Sequence, residues 1–398
     1  MNLNIIKLII VQALSNFASS LLLYFFIFQT MNNTQSAIAT GSIGAMAIIP
    51  SLILFPFVGY LIDRFSKKKL LICCISIQII FLTVFLFMEP FFSESLFLIN
   101  VLIFIVFLFR TFISPIIDTV IPHFVKKEEL HKANSNVNIF NTIVDISSPI
   151  VASLLFLGQF GLTLLCIVFY VLCLIVTCFL DMSLIKSNPS NMSLIKDILE
   201  GYRFIFKSKI LLTLVISFSV LNLLIVPLNS VIFPVLSSSF YMEGTLGTGF
   251  LISAYSAGFL IGGIVFRLLK ISYYNGIISS TAFLVIAFII YTIHDHIFMG
   301  ILGAFSSGFA ILGIVVYSTS LFQYITPENI RGRVFTARKT LSMSLGPVGI
   351  FVFGSLITLY EITTIMLIFC FITIVLLFVI IFITKKKNSN FYGNETSL

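Results

Sequence analysis

The chain has 398 residues, of which 59% are hydrophobic and 10% charged, and it carries a net charge of +8 at pH 7. A soluble domain carries about 25% charged residues, so composition excludes a soluble protein and points to a lipid bilayer. The basic excess follows a membrane-sidedness pattern set out below, which leaves no reason to invoke a nucleic-acid partner.

Apolar runs of spanning length recur from one end to the other. In lipid the backbone must satisfy its own hydrogen bonds, and runs this long without strict alternation predict helices rather than a closed barrel. In chain order they cover 5–30, 37–62, 70–89, 95–121, 134–158, 160–180, 209–237, 246–269, 275–293, 297–325, 335–359 and 361–384. About 20 helical residues cross about 30 Å of hydrocarbon, so the sequence predicts an all-α membrane protein with twelve transmembrane helices in two six-helix bundles. The first run continues through Leu21 to Phe28, which reads as a retained span rather than a cleaved signal peptide. Cys73, Cys74, Cys166, Cys173, Cys178 and Cys370 all fall in apolar runs without metal spacing; they read as small core residues, with no disulfide framework and no metal. Trp is absent, so Tyr must supply interfacial anchoring.

With the N-terminus placed in the cytoplasm, every Lys and Arg except Arg110 falls at an inner segment. The outer loops carry Glu89, Glu94, Glu243, Asp295 and Glu361 instead. The positive-inside rule then puts both termini in the cytoplasm of a multi-pass protein of the cell (inner, cytoplasmic) membrane.

The longest polar segment divides the chain into an N-terminal bundle over 1–181, a cytoplasmic linker over 182–208, a C-terminal bundle over 209–384 and a tail over 385–398. Within the linker, Leu194, Ile198, Leu199, Tyr202, Ile205 and Phe206 share one helical face, which predicts an amphipathic helix lying on the inner surface. The halves echo each other. IPHFVKKEELHKANSN precedes a span containing Ser148-Pro149, and ITPENIRGRVFTARKT precedes one containing Gly346-Pro347. Both are expected to be helices broken by a small residue plus Pro. Six plus six spans with repeated landmarks is a secondary-transporter pattern.

Ionisable groups inside spans are costly and mark functional sites. Arg110 lies roughly 12 Å above the inner end of span 4, and Asp145 roughly 16 Å into span 5 from the same side, at 1.5 Å per residue. Their similar depth on consecutive spans predicts that they pair or share a water-filled cavity. Asp145 is the candidate proton carrier, because burial and a mobile arginine pull a carboxyl in opposite directions. A static ion pair is the competing reading. Asp118, nearer the inner end of span 4, is a second candidate carrier. Gln12 and Asn16 share a face of span 1, and Asn222 and Asn229 share a face of span 7; substrate contact and plain interhelical hydrogen bonding both fit them. His123, His131, His294 and His296 fall in loops without an assigned role. No Gly-rich nucleotide loop is present, so the sequence predicts no ATP use, no cofactor and no enzyme.

The stretch GYLIDRFSKKK, from Gly59 to Lys69, resembles the signature loop of the major facilitator superfamily, G-x-L-x-D-R-x-G-R-K/R. Gly59, Asp63, Arg64, Lys67 and Lys68 match, while Ser66 replaces the second glycine. GGIVFRLLK, with Gly262, Gly263 and Arg267, resembles the degenerate second copy of that loop. Arg110 stands where the family places a span-4 arginine. Ser148-Pro149 falls at an exporter Gly-Pro motif, with Ser in place of Gly. Together with PHFVKKEELHKAN and ENIRGRVF, the layout is most similar to the macrolide-efflux branch of drug exporters. The resemblance implies that spans 1, 4, 7 and 10 line the substrate path, so that Gln12, Asn16, Arg110, Asn222 and Asn229 would meet substrate.

A carboxylate at Asp63 can face the positive end of a neighbouring helix, and the resemblance makes that neighbour span 11. Gly59, Asp63, Arg64 and Lys67, with Arg331 and Arg333, would then form a latch on the cytoplasmic side; for Lys67 to Lys69 themselves, ordinary anchoring is the simpler reading. The expected activity is proton-coupled export of amphipathic small molecules by alternating access, by a monomer whose partners are substrate, protons and the bilayer. A lysophospholipid transporter, a metabolite or siderophore exporter of the same fold, and a non-transporting receptor or scaffold are the alternatives.

Overall fold

A computed structural model describes residues 3–92, 95–125, 130–154, 158–182, 194–241, 243–269, 271–293, 296–327 and 330–391. Glu94, Lys126, Lys127, Lys186, Lys270, His294 and Asp295 therefore lie outside the described residues, as do the side chains of Asp63, His131, Ile198 and Arg267. The helices are α1 Leu3–Thr34, α2 Ala37–Arg64, α3 Lys67–Phe92, α4 Leu96–Val120, α5 Leu130–Leu154, α6 Gly158–Cys178 and α7 Leu194–Lys207. They continue with α8 Lys209–Pro227, α9 Phe233–Val235, α10 Gly244–Leu268, α11 Tyr273–Ile290, α12 Ile297–Ile325, α13 Arg331–Met343, α14 Gly346–Leu356 and α15 Ile362–Phe391. Among the described residues, eleven helical segments are long and apolar enough to cross a bilayer. The remaining expected span, α5, is apolar only over Ile139–Leu154, because the residues ahead of Ile139, LHKANSNVN, are mostly polar. Serine side chains start several helices by accepting from the first-turn backbone: Ser36 from Ala39 N–H at 3.2 Å, Ser208 from Leu211 at 3.4 Å and Ser272 from Asn275 at 3.4 Å.

The chain divides into two compact units, Met1–Lys196 with Gly244–Gly249, and Asp197–Glu243 with Phe250–Leu398. In the first, α1 is central and packs against α2, α4, α5 and α6. Leu8, Val11, Ala18, Leu21 and Leu22 of α1 are fully buried. The expected break at Ser148-Pro149 does not occur: α5 runs unbroken through Pro149. The proline acts more locally, because it has no N–H to donate to the carbonyl of Asp145 one turn earlier.

In the second unit α8 packs against α13, α14 and α15, and α11 against α12 and α15. Span 7 is not a plain α-helix. Beyond Pro227 it passes through a π turn at Leu228–Ile232 and another at Leu236–Phe240. Span 11 is broken as expected, between α13 and α14, with Pro347 in the first turn of α14. Pro227 withholds a donor from the carbonyl of Leu223, and Gly349 of α14 packs so closely on that carbonyl that a Cβ would collide with it. The linker helix does not float on the surface. From Asp197 onward it belongs to the second unit, with Ile205 buried in a core shared with Leu211, Val334 and Ala337. Leu199 and Phe206 of the expected apolar face stay exposed.

Helix α10 meets α12 through reciprocal glycines. A Cβ on Gly258 would strike the Phe305 carbonyl, and one on Gly308 the Tyr255 carbonyl. Small residues let membrane helices approach this closely. Gly258→Leu is therefore expected to destabilise the unit by about 1–3 kcal/mol, the usual cost of overpacking. A fall in the thermal unfolding temperature in detergent is the check, and Phe160→Leu, at an exposed apolar position, is the control.

Candidate functional site

The polar side chains of the first unit converge on α1. Gln12 is buried and its Nε2 donates to Ser114 Oγ of α4 at 3.4 Å. Asn16 Nδ2 donates to Asn141 Oδ1 of α5 at 2.8 Å. Above them Arg110 is half-buried, with its guanidinium carbon 4.9 Å from the Phe107 ring centroid. It lies within electrostatic reach of Tyr170 of α6, Asp145 of α5 and Tyr24 of α1. Asp118, the second candidate carrier, is exposed about two turns further along α4.

Asp145 is exposed, yet not on the lipid side of α5. Ile139, Ile143 and Leu154 form the outward apolar stripe. At 100° per residue Asp145 lies about a third to a half of a turn away from them, on the side of Asn141 and the buried Ser148 and Pro149. A carboxylate there is reachable without facing hydrocarbon, and a guanidinium sits in its field. That arrangement can hold a proton on the carboxyl or release it against a fixed positive charge.

Among the signature-loop residues, α2 ends at Arg64, where Phe65 N–H donates back to Leu61, and α3 begins at Lys67. Arg64 is exposed, and a Cβ at Gly59 would meet open space. The anchoring reading of Lys67 to Lys69 needs correction at one position. Lys68 Nζ donates to the Cys178 and Leu180 carbonyls, both at 2.7 Å, and Lys7 Nζ to the Phe179 carbonyl at 2.8 Å. Two cations thus close the C-terminal end of α6, where orphan carbonyls and the helix dipole favour positive charge. Of the six cysteines, all free, four are buried as expected and Cys73 and Cys178 are exposed.

In the second unit Asn222 Nδ2 turns back to the Phe218 carbonyl of its own helix at 2.9 Å. Asn229 sits in the first π turn, and its buried Oδ1 has no hydrogen-bond partner. Single π turns inside helices recur at functional sites. Gly346 packs beside this region on Val226. Arg331 is half-buried at the start of α13, and Arg333 forms an ion pair with Glu200 of α7. That pair is partly exposed, so it contributes only about 0–1 kcal/mol. Its effect is to hold α7 against α13, where Gly201 also lies on the Arg333 carbonyl.

Arg338, one of the cations that the sequence places at inner segments, is buried rather than solvent-facing. It is 8% exposed, with Nη1 donating to Thr319 Oγ1 and Nη2 to Ser318 Oγ, each at 3.1 Å. Its guanidinium carbon lies 4.4 Å from the Phe322 ring centroid, 5.2 Å from Phe218 and 5.7 Å from Phe335. Val334, Ala337 and Ser342 are buried on the same face, and this 3–4–8 spacing is the signal that could have found it. Tyr170 was missed in the same way. It stands in a buried stripe of mostly small or polar residues, Gln159, Thr163, Cys166, Cys173 and Thr177.

A family model described as Major Facilitator Superfamily matches residues 8–346. The chain is 24% identical over 349 residues to Macrolide efflux protein A of Streptococcus pyogenes, covering 85% of each chain. It is 25% identical over 320 residues to Macrolide efflux protein A of Enterococcus faecalis, covering 78% of this chain and 98% of that one. Among solved structures, the nucleoside transporter NupG superposes with a TM-score of 0.76 at 16% identity, over 97% of this chain and 100% of the other. A POT family transporter in complex with 5-aminolevulinic acid superposes with a TM-score of 0.79 at 10% identity, over 97% of both chains. These structural likenesses concern the fold.

Proposed function

The chain belongs to the major facilitator superfamily, a transporter rather than an enzyme, and we propose that it exports amphipathic, macrolide-like small molecules by alternating access, driven by inward movement of protons. The observation that carries proton coupling is Asp145, a reachable carboxyl on the inward-turned side of a membrane helix in the field of Arg110. In this reading the ionised carboxylate pairs with the guanidinium, and protonation releases Arg110 from it. The cargo class is supported by the similarity to two proteins named for macrolide efflux along most of their length. Within the first unit Asn16 and Tyr24 of α1 offer an amide and a hydroxyl on a helix whose other side chains are largely apolar, which suits a ligand with scattered hydroxyls on a greasy frame. The protein acts as a monomer in the cell membrane with both termini in the cytoplasm.

The test is transport by the purified chain in proteoliposomes, using one cationic and one neutral macrolide-like compound, with and without an imposed pH gradient. Accumulation of at least one compound that collapses when the gradient is dissipated is expected. Transport of a labelled lysophospholipid in place of both would transfer the protein to a different cargo class, and accumulation indifferent to the gradient would remove the proton.

A further inference from the structure

Three buried polar atoms without hydrogen-bond partners lie along one seam of the first unit. They are Gln12 Oε1 and Ser15 Oγ of α1 and the Tyr170 hydroxyl of α6. Ser15 and Tyr170 are 0% exposed and Gln12 is 3% exposed. The register of the seam is fixed by two thiol contacts, Cys166 Sγ to the Ala18 carbonyl at 3.5 Å and Cys173 Sγ to the Val11 carbonyl at 3.4 Å. These make α1 and α6 antiparallel neighbours and set Tyr170, midway between the two cysteines, opposite Ser15. Ser19, one turn further out, spends its hydroxyl on the Ser15 carbonyl at 2.6 Å. The Tyr170 hydroxyl lies toward Ser19 and Arg110 but completes no hydrogen bond.

Helix α4 runs along the same seam in the opposite direction to α1. One turn beyond Arg110 it presents Ser114, the partner of Gln12. At the same height Pro115 has no N–H to give to the Thr111 carbonyl. The polar groups thus descend in step from Arg110 and Tyr170, past Ser15, to Gln12 and Ser114. The α1–α5 side is closed by the Asn16–Asn141 hydrogen bond. Each unpaired buried polar atom is costly, and natural proteins satisfy such runs with ordered water that finds two to four polar partners.

We propose that the α1–α4–α6 seam holds a short file of ordered waters and that this file is the proton exit from the Arg110–Asp145 pair toward the N-terminal end of α1. The inference rests on the reading of Asp145 as the proton carrier. The carboxyl O–H bond breaks and the proton joins the first water. Each water passes one proton on as it receives one, so the carboxylate stays beside Arg110 and nothing else changes charge. Tyr170, Ser15 and Gln12 position the waters and are not themselves carriers.

The experiment uses the full-length chain in proteoliposomes, with Tyr170→Phe, Ser15→Ala, Ser15→Thr and Asp145→Asn beside the unaltered protein. Two rates are read for one labelled macrolide-like compound: gradient-driven accumulation, with proton flux from an entrapped pH dye, and counterflow exchange without a gradient. Tyr170→Phe and Ser15→Ala are each expected to slow driven transport and proton flux about fivefold, the rate equivalent of about one hydrogen bond. Counterflow should stay within about twofold, and Ser15→Thr should restore the driven rate. If these variants pump normally while Asp145→Asn does not, the carrier stands and the water file falls. If driven transport and counterflow decline together, the seam is only packing and the proposal is likewise overturned. Undiminished pumping by Asp145→Asn would instead overturn the parent reading. Should Tyr170→Phe fail to fold, the two Ser15 variants decide the matter.

Discussion

Asp145→Asn is expected to abolish gradient-driven accumulation, by about a hundredfold or more, while leaving substrate binding and counterflow largely intact. The magnitude is the lower end of what losing a positioned proton-transfer group costs. Asn keeps the volume and much of the hydrogen-bonding capacity of the side chain, and it cannot take up or release a proton. It also cannot neutralise Arg110, which lies in its field. The variant is thereby held near the condition of a permanently protonated carrier. It should exchange substrate across the membrane without drawing on the gradient. Arg110→Gln is the companion measurement. It removes the positive charge against which the carboxylate is formed, so the pH at which driven transport switches on should move, whereas a static structural pair predicts loss of folded protein with no change in the pH profile. Asp145→Asn protein that pumps like the unaltered chain would take Asp145 out of the mechanism.

Much of this architecture could be read from the residues, because the bilayer imposes a strong length rule on apolar runs. The convergence of Arg110 with Asp145 followed from matching depths on consecutive spans. What escaped was everything that depends on rotation of one helix against another. Pro149 looked equivalent to Pro347 in sequence, yet α5 continues through one and span 11 breaks at the other. The difference lies in the packing: Gly346 and Gly349 let α14 pack closely on α8, against a carbonyl that Pro227 leaves without a helix donor. The π turns of span 7 leave no signature beyond prolines at Pro227 and Pro234. Lys68 was indistinguishable from its neighbours as a charge, and only the end of α6 placed near it gives it a separate task. Tyr24 and Tyr170 were passed over because a tyrosine in a greasy span reads first as an interfacial anchor.

Arg338→Ala should cost the second unit about 2–4 kcal/mol and lower the yield of folded protein, whereas Arg338→Met should recover most of that stability and support transport. The cation is held by three aromatic faces and two hydroxyls, contacts worth about 0.5–2 kcal/mol for each ring and about 1–3 for each charge-assisted hydrogen bond. Against these stands the cost of taking a guanidinium out of water, which consumes much of the gain. Alanine loses the contacts and leaves a cavity between α8, α12 and α13. Methionine fills the space and relieves the desolvation, and Ser318 keeps its own bond to the Val315 carbonyl at 3.1 Å. The position of Arg338 on the buried stripe of α13, with Ser219 of α8 also donating to the Leu341 carbonyl at 2.8 Å, assigns it to fixing the rotation of α13 ahead of the break in span 11. Thermal unfolding in detergent and counterflow in proteoliposomes separate the possibilities. A Met variant that folds as well as the unaltered chain yet moves no substrate would mean that the positive charge takes part in transport, and the purely positioning role would have to be abandoned.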